Sequence, residues 1–362
     1  MFWRARVSQY AVATLSLDAL NDNINQVKRL APHSKIIAMV KANAYGHGLM
    51  AIAKRLAPQV DALGVARISE ALQLRAMGIQ TPIILMEGAM QPAELPLLSQ
   101  HQLGIVIHSA YQLTQIEQAK TCQIPSVWIK INTGMNRLGF PCEQASYVYK
   151  KLLSLANVQN IIGIMTHFAA ADERDNPFTS QQMYLFHQTT QHLTVAKSLA
   201  NSAGLIAWPA SQADWVRPGL MLYGVSPFLD KTGADLGLKP VMQLDASLIA
   251  INYCKKGDSI GYNGTYQCPE DMPIGVVSIG YGDGYPRYIR EAMPILVNHQ
   301  LTQVIGLVSM DMLTVDLRPI NHANIGSQVT LWGDKLPIEH VAKAAHTSVY
   351  ELLAGLTARV HI

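Results

Sequence analysis

The sequence is short of charge and of aromatic residues. Charged residues make up 15% of the 362 positions, aromatic residues make up 7%, and the formal net charge is only +3. Lysine and arginine are not gathered into a block, and they are not interleaved with aromatic residues. Proteins that follow a phosphate backbone need a basic patch or stripe. The composition therefore argues against nucleic acid as a partner.

Long apolar runs are also missing. One long uncharged stretch, residues 152–171, contains Asn157, Gln159, Asn160 and His167. A helix that spans a bilayer needs roughly 20 predominantly apolar residues. This stretch does not meet that requirement, so we expect no contact with a membrane.

Cysteines are few, and the start of the chain lacks the pattern of a secretory signal. Met1–Tyr10 has no apolar core and no small-residue cleavage site. Cys122, Cys142, Cys254 and Cys268 are widely spaced, with no C-x-x-C pair and no histidine at metal-ligand spacing. We therefore expect incidental reduced thiols, no metal site and a cytoplasmic location.

What the sequence does contain, from about Ala11 to Gly224, is a repeated alternation of apolar runs and amphipathic segments. The runs are continuous, as in parallel strands that are buried on both faces. Seven or eight units of roughly 25–35 residues predict an α/β fold with a closed barrel of parallel strands. The predicted strands are Ile36–Val40, Ala62–Ala66, Pro82–Met86, Gly104–His108, Val127–Ile131, Ile161–His167 and Gly219–Tyr223.

After about Leu229 the pattern changes to short β-rich runs separated by glycine, proline and asparagine. The predicted strands there are Ser247–Tyr253, Ile274–Ile279, Ile295–Val297, Val304–Val308, Leu313–Leu317 and Gln328–Leu331. Asp230–Lys239 is polar and contains glycine, which is typical of a linker. We therefore predict a barrel domain at residues 1–230 and a mostly β domain at residues 231–362.

The segment Val40–Gly48 (VKANAYGHG) places Lys41 where an apolar run ends. Barrel strands carry active-site residues at their carboxyl ends. Apolar surroundings disfavour the charged form of a lysine, and the neutral amine can form an imine. Tyr45 follows four residues later and can face the same site. A lysine at such a position is more often an ordinary solvated residue, so the interpretation depends on other segments.

Several further segments place polar or small residues at predicted strand ends. Lys130–Phe140 (KINTGMNRLGF) contains Arg137, whose planar guanidinium suits a carboxylate. His167 ends another strand, while Asn201–Gly204 and Trp215–Gly224 offer small residues and backbone amides for an anion. Each segment alone also fits a surface turn, a packing histidine or turn glycines. The β-domain segments GYNGTY, IGYGDG and VSMDM likewise fit hairpins when taken singly.

Taken together and in this order, these segments resemble the pyridoxal-phosphate-dependent alanine racemase family over essentially the whole chain. VKANAYGHG and SMDM are the most specific of them. The resemblance implies an eight-stranded α/β barrel followed by a β domain. It also implies pyridoxal phosphate as cofactor, alanine as substrate, and a head-to-tail homodimer whose active sites borrow residues from the partner subunit.

By this resemblance, Lys41 holds the cofactor covalently and acts as one catalytic base, and Tyr262 of the other subunit is the opposing base. Two bases are needed because the α-proton must leave one face of a planar centre and return to the other. Arg217 resembles the arginine that faces the pyridine nitrogen, and His167 resembles a residue that helps to hold it. An arginine keeps its proton, so the ring nitrogen stays unprotonated.

The resemblance also assigns the residues at the phosphate. Tyr45 and Ser202 match phosphate-binding positions, and Gly219 and Leu220 match positions that contribute main-chain groups. Ala358 stands where some family members have a tyrosine near the phosphate. One phosphate contact of the family is therefore absent or replaced in this chain.

At the substrate end, Arg137 matches the arginine that contacts the substrate carboxylate and the catalytic tyrosine. Tyr281, Met310 and Asp311 match residues that the partner subunit contributes and that restrict the pocket to small side chains. Lys130 matches a lysine that is often carbamylated in the family, a modification that would orient Arg137. Asn132 and Asn136 depart from the residues that the family commonly has around this arginine.

Three other functions fit parts of the pattern. A racemase of the same fold with a broader substrate range is disfavoured by Lys130 and by the missing secretion signal. A decarboxylase on a similar barrel would place an acid, not Arg217, opposite the pyridine nitrogen. A non-catalytic protein that binds pyridoxal phosphate has no use for Tyr262 or for Met310 and Asp311.

Overall fold

The computed structural model describes residues 11–288 and 292–362, in two compact units. The prediction that Met1–Tyr10 carries no secretory signal lies outside the described residues. Within them, no helix combines the length and the apolar character needed to cross a bilayer. The same residues contain no group of three or more histidine, cysteine or acidic side chains arranged to hold a metal ion.

The first unit is built on a closed barrel of eight parallel strands, as predicted. Its strands are β2 (Lys35–Met39), β3 (Ala62–Val65), β4 (Ile83–Leu85), β5 (Leu103–Ile107), β6 (Ser126–Lys130), β7 (Ile161–Met165), β8 (Ala196–Ser198) and β9 (Trp215–Val216). Strand β9 pairs with β2 and closes the ring. The interior is packed by side chains that include Ile37, Ile84 and Trp128, so the barrel has a solid core.

The helices of this unit follow the strands. They are α1 (Leu17–Leu30), α2 (Lys41–Tyr45), α3 (Leu49–Leu56), α4 (Ile68–Ala76), α5 (Leu95–Gln100), α6 (Ala110–Gln118), α7 (Ala145–Leu153), α8 (Phe178–Thr190) and α9 (Ser202–Ala207). Leu20, Ile24 and Val27 form the fully buried stripe of α1 that their spacing predicts.

The last part of the barrel differs from the prediction. Gly219–Tyr223 is not a strand, because Leu220–Tyr223 forms a 3₁₀ helix. The last two strands are instead β8 and β9, with three and two residues. Both were missed because they are shorter than the apolar runs that reveal a strand in a sequence, and β8 includes Lys197 and Ser198.

The second unit is mostly antiparallel β-sheet. Its strands are β1 (Ala11–Leu15), β10 (Met242–Cys254), β11 (Ser259–Ile260), β12 (Tyr266–Gln267), β13 (Met272–Val277), β14 (Pro294–Val297), β15 (Gln300–Ile305), β16 (Leu313–Asp316) and β17 (Gln328–Trp332). The main sheet has the order β1-β10-β13-β16-β15-β14-β17, and β17 also pairs with β10. Strands β11 and β12 form a separate hairpin, and α10 (Ile338–Ala345) and α11 (Val349–Ala354) complete the unit.

The first strand belongs to this sheet and not to the barrel. All five residues of β1 pair antiparallel with β10, from Ala11 opposite Ala246 to Leu15 opposite Met242. The second unit therefore groups residues 11–20 and 223–226 with residues 231–362. The predicted boundary at residue 230 did not anticipate this, because pairing between strands so distant in sequence leaves no local signal.

Candidate active site

Four of the predicted site residues lie at the carboxyl end of the barrel. Lys41 follows β2, Lys130 is the last residue of β6, His167 follows β7 and Arg217 follows β9. Parallel strands of a closed barrel present their carboxyl ends at one rim. The fold therefore gathers residues that are up to 176 positions apart in sequence, from Lys41 to Arg217, at one place.

The chain leaves Lys41 through an unusual turn. Ala42, Asn43, Ala44 and Tyr45 all have positive φ, between 52° and 55°. Left-handed conformation costs about 1–2 kcal/mol per residue other than glycine. Hydrogen bonds hold the turn: Ala42 N–H donates to Glu70 Oε1 at 2.6 Å, and Leu49 N–H donates to Asn43 Oδ1 at 2.8 Å. We therefore describe α2 as a single left-handed turn that fixes Tyr45 relative to Lys41.

Tyr45, Ser202 and Gly219 meet in a small polar cradle. Ser202 Oγ accepts hydrogen bonds from Gly219 N–H at 3.0 Å and from Met221 N–H at 3.3 Å. A Cβ atom placed on Gly219 would lie 2.5 Å from the Tyr45 hydroxyl oxygen. The cradle thus combines two hydroxyl groups with the backbone from Gly219 to Met221, and it leaves no space for a side chain at Gly219. This donor set and this close approach fit a phosphate group.

Arg217 is a buried cation held by oxygen atoms. Its guanidinium donates hydrogen bonds to Ser198 Oγ at 2.5 Å, to Thr166 O at 2.5 Å and to Leu199 O at 3.1 Å. Burial lowers the pKa of Arg217 to about 10, so the group stays protonated at neutral pH. With three acceptors around it, Arg217 is a fixed positive charge with no proton to give.

His167 does not hold Arg217 by a direct hydrogen bond. Among the described residues, the acceptors of the guanidinium are Ser198, Thr166 and Leu199. Burial lowers the pKa of His167 well below its usual value, and the charge of Arg217 lowers it further. His167 is therefore a neutral neighbour of the arginine. Ser198 was missed in the sequence because it belongs to the short strand β8.

The two lysines at the rim have weakened basicity. Burial, followed by the charges of Arg217, Arg137 and Lys41, lowers the pKa of Lys130 to about 8. Burial and the charge of Arg137 also lower the pKa of Lys41, against the opposing effect of Glu87 and Glu70. A lowered pKa raises the share of neutral amine at physiological pH. The cluster of cations also creates a positive potential that attracts anions.

Arg137 lies on an exposed turn that the two asparagines build. Asn132 Oδ1 accepts hydrogen bonds from Gly134 N–H and from Asn136 N–H, both at 3.0 Å. Asn136 has a φ of 55°, a conformation that asparagine adopts more readily than most residues. The asparagines therefore have a structural role in the loop that carries Arg137.

The remaining predicted residues lie in the second unit. Tyr262 is 63% exposed at the tip of the β11–β12 hairpin. Tyr281 and Met310 are on adjacent segments, because Tyr281 N–H donates to Ser309 O at 3.0 Å and Gly282 N–H donates to Met310 O at 2.8 Å. Met310 is also exposed, at 52%. Exposed tyrosine and methionine side chains are typical of interaction surfaces.

Asp311 is held by an arginine that the sequence did not point out. Arg359 Nη2 donates to Asp311 Oδ1 at 2.8 Å, and Arg359 Nε lies 3.1 Å from Asp283 Oδ1. Asp283 is buried, whereas Asp311 is exposed. Arg359 therefore ties the segment of Met310 and Asp311 to that of Tyr281 and Asp283. Its position near the end of the chain gave no hint of this.

Comparison with known proteins settles the family. A model of the alanine racemase N-terminal domain matches residues 15–227, and a model of the C-terminal domain matches residues 241–362. The chain belongs to the alanine racemase family. Members of this family depend on pyridoxal phosphate.

Individual alanine racemases are similar over almost the whole length. That of Coxiella burnetii is 47% identical, and that of Vibrio cholerae is 48% identical, each over 97% of this chain and 97% of its own. The solved biosynthetic alanine racemase from Pseudomonas aeruginosa is 40% identical, with a TM-score of 0.95 over 98% of this chain and 99% of its own. The alanine racemase from Bartonella henselae, solved with covalently bound pyridoxal phosphate, is 28% identical with a TM-score of 0.88, over 98% of this chain and 99% of its own.

The cradle yields a first prediction. Gly219→Ala should weaken the binding of pyridoxal phosphate by at least about tenfold, because the new Cβ displaces the Tyr45 hydroxyl and forces the backbone from the anion. The double variant Gly219→Ala, Tyr45→Phe should recover part of the affinity lost through the clash. The nearest atom to the new Cβ is then a ring carbon of residue 45, at 3.1 Å. Titration of the apoenzyme, followed by cofactor absorbance, measures both variants. Unchanged affinity in Gly219→Ala would contradict this description of the cradle.

Proposed function

We propose that this chain is an alanine racemase that binds pyridoxal phosphate on Lys41 and interconverts L-alanine and D-alanine. The observation that carries the proposal is a lysine of lowered pKa joined by one fixed turn to a cradle for phosphate, in a chain that matches both family domains. Bound pyridoxal phosphate makes the Cα–H of an attached amino acid acidic by delocalising the electron pair that the proton leaves behind.

The barrel residues would hold the cofactor at its two ends. Tyr45 and Ser202 contribute hydroxyl groups at the phosphate, and Gly219 and Leu220 contribute the main chain. Arg217, a fixed and protonated guanidinium, would face the ring nitrogen. Because arginine keeps its proton, the ring nitrogen stays unprotonated. His167, a neutral neighbour, adds no further positive charge there.

The proton is moved by two bases on opposite faces of the substrate. The Lys41 Nζ atom, whose pKa is lowered by burial and by the charge of Arg137, accepts or donates the α-proton on one face. The Tyr262 hydroxyl, exposed at its hairpin tip and supplied by the partner subunit, does so on the other face. Removal by one group and return by the other inverts the configuration.

The substrate end is formed by Arg137 together with Tyr281, Met310 and Asp311 of the partner subunit. Arg137 binds the substrate carboxylate through its planar guanidinium. The partner's segment, braced by Arg359, limits the side chain to a small one. A homodimer is thus required for a complete site.

The relatives are named for alanine, which favours alanine as the substrate over a broader range of amino acids. Such an enzyme, with its reduced thiols, belongs in the cytoplasm and supplies D-alanine.

The function is tested by a panel of single L-amino acids, assayed for loss of optical rotation with and without added pyridoxal phosphate. We expect L-alanine to racemise fastest and activity to depend on the cofactor. Lys41→Ala should lose covalently attached cofactor and all racemisation, whereas Lys54→Ala, on an outer helix, should keep both. Equal rates for serine or larger side chains would contradict the assignment of alanine.

Replacing the second base separates the two proton transfers. Tyr262→Phe should lower racemisation by about 100-fold or more, the usual contribution of a positioned acid–base group. The overall equilibrium between L-alanine and D-alanine fixes the ratio of kcat/KM for the two directions of racemisation, so the loss of one base cannot change that ratio. The effect of losing one base is instead measured as exchange of the α-hydrogen with solvent. In deuterium oxide, we expect the variant to exchange the α-hydrogen of one enantiomer without inverting it. Tyr253→Phe, also highly exposed in this unit, is the matched control. Equal exchange of both enantiomers would contradict the two-base scheme.

Lys130 is proposed as a carbamylated lysine. The neutral amine attacks carbon dioxide and releases a proton, which turns a buried cation into an anion beside Arg137 and Arg217. Since the pKa of Lys130 is lowered to about 8, the reactive fraction grows as pH rises through that value. With ¹³C-labelled bicarbonate, we expect one carbamate resonance that strengthens between about pH 7 and 9.

The control variant for this resonance replaces a lysine that is exposed to solvent. Lys130→Met should abolish the signal, while Lys343→Met, on the surface helix α10, should leave it unchanged. Persistence of the resonance in Lys130→Met would assign it to another amine. If the protein without any substitution gave no carbamate resonance, Lys130 would remain a free amine.

A further inference from the structure

Two of the four cysteines lie at the base of the hairpin that carries Tyr262. Strand β10 ends at Cys254, which is opposite Met272 of β13, where the chain returns to the sheet. Between them the chain forms β11 and β12, and Cys268 follows β12. The Cys268 N–H donates to Asp258 O at 2.9 Å, and the Cys268 carbonyl accepts from Gly257 N–H at 2.8 Å. Both cysteines therefore belong to one stem.

The two side chains also pack in the same apolar region. Cys268 is 2% exposed and belongs to an apolar cluster with Ile260, Met272, Ile274 and Ile305, against which Cys254 packs. The Cys254 thiol is near enough to the Cys268 thiol to raise its pKa, and both cysteines are free. A disulfide bond is about 2.0 Å long, so bond formation requires the two sulfur atoms to move towards each other within this cluster.

The other cysteines offer no such pairing. Cys142 and Cys122 lie in the barrel unit, and the Cys142 thiol donates to Asn132 O at 3.5 Å. Ion pairs already draw the two sides of the stem together, since Lys255 Nζ lies 2.8 Å from Asp271 Oδ2. The stem therefore holds the thiols of Cys254 and Cys268 near each other while the hairpin beyond them stays exposed.

We propose that Cys254 and Cys268 are an oxidisable pair, which a peroxide converts into a disulfide across the stem of the β11–β12 hairpin. Cys254 is the half-buried member and reacts first. Its thiol gives up a proton and attacks the peroxide, forming a sulfenic acid and releasing water. The Cys268 sulfur then attacks the Cys254 sulfur, the S–OH bond breaks, and the hydroxide leaves with the Cys268 proton as a second water.

The order of the two steps follows from the surroundings of each thiol. Burial raises the pKa of the Cys268 thiol, and Cys254 and Asp258 raise it further. The buried thiol is therefore a poor first target for peroxide, although its position suits the second step. The product closes a covalent loop around the hairpin of Tyr262 and limits its opening. This modification site does not depend on the proposed function.

Peptide mapping of the holoenzyme after treatment with hydrogen peroxide tests the pair. We expect loss of two of the four titratable thiols and a peptide that links Cys254 to Cys268, both reversed by dithiothreitol. Amide exchange in residues 259–267 should slow by about tenfold on oxidation. Cys254→Ser and Cys268→Ala should both lose the linked peptide, and Cys142→Ser should still form it. In the Cys142→Ser control, the two thiols lost on oxidation should still be those of Cys254 and Cys268.

Two results would overturn the proposal. One is accumulation of sulfinic acid at Cys254 while Cys268 stays a free thiol, which would show that the second sulfur does not reach the first. The other is a peroxide-treated protein in which all four thiols remain. Cys268 is buried, so Cys268→Ala is the variant more exposed to a folding defect. Cys254 is only half-buried, so Cys254→Ser still tests the pair if Cys268→Ala folds poorly.

Discussion

Positive charge is crowded at the carboxyl end of the barrel, and the site depends on how the protein manages it. Lys41, Lys130 and Arg217 are removed from water to different degrees, and the charges of Arg217 and Lys41 lower the pKa of Lys130 further. The amines respond by losing basicity. The pKa of Arg217 is also lowered, to about 10, but its guanidinium stays protonated at neutral pH and is stabilised by three oxygen acceptors. Burial and positive charge thus yield two kinds of group, amines with a lowered pKa and an arginine that stays protonated at neutral pH.

The same crowding of positive charge favours the binding of anions. A cofactor phosphate and a substrate carboxylate each relieve part of the repulsion, and a carbamate on Lys130 would relieve more. The left-handed turn from Ala42 to Tyr45 adds a geometric constraint, since four residues with positive φ are costly and must be held by their surroundings. Glu70, which receives the Ala42 N–H, also accepts from Ala66 and Arg67. The turn after Lys41 is therefore tied to the end of the neighbouring strand β3.

Much of the barrel could be predicted from the sequence, because six of its strands are continuous apolar runs of adequate length. Strands β8 and β9 could not, since they have too few residues to show a period. The place of β1 could not either, because its partner β10 is more than two hundred residues away. In the site, Lys41 and Arg217 could be located through motifs. Ser198, Glu70 and Arg359 act only through partners that folding brings to them, and so does the pair of Cys254 and Cys268.

The central claim is that each site joins Lys41 of one subunit to Tyr262 of the other. It is tested most directly by mixing inactive Lys41→Ala and Tyr262→Phe subunits under conditions that allow exchange. A mixed dimer then contains one site with both bases and one site with neither. Random mixing should restore about a quarter of the wild-type racemase activity, because half of the dimers are mixed and each has one intact site. Exchanged dimers that remain inactive would contradict the account.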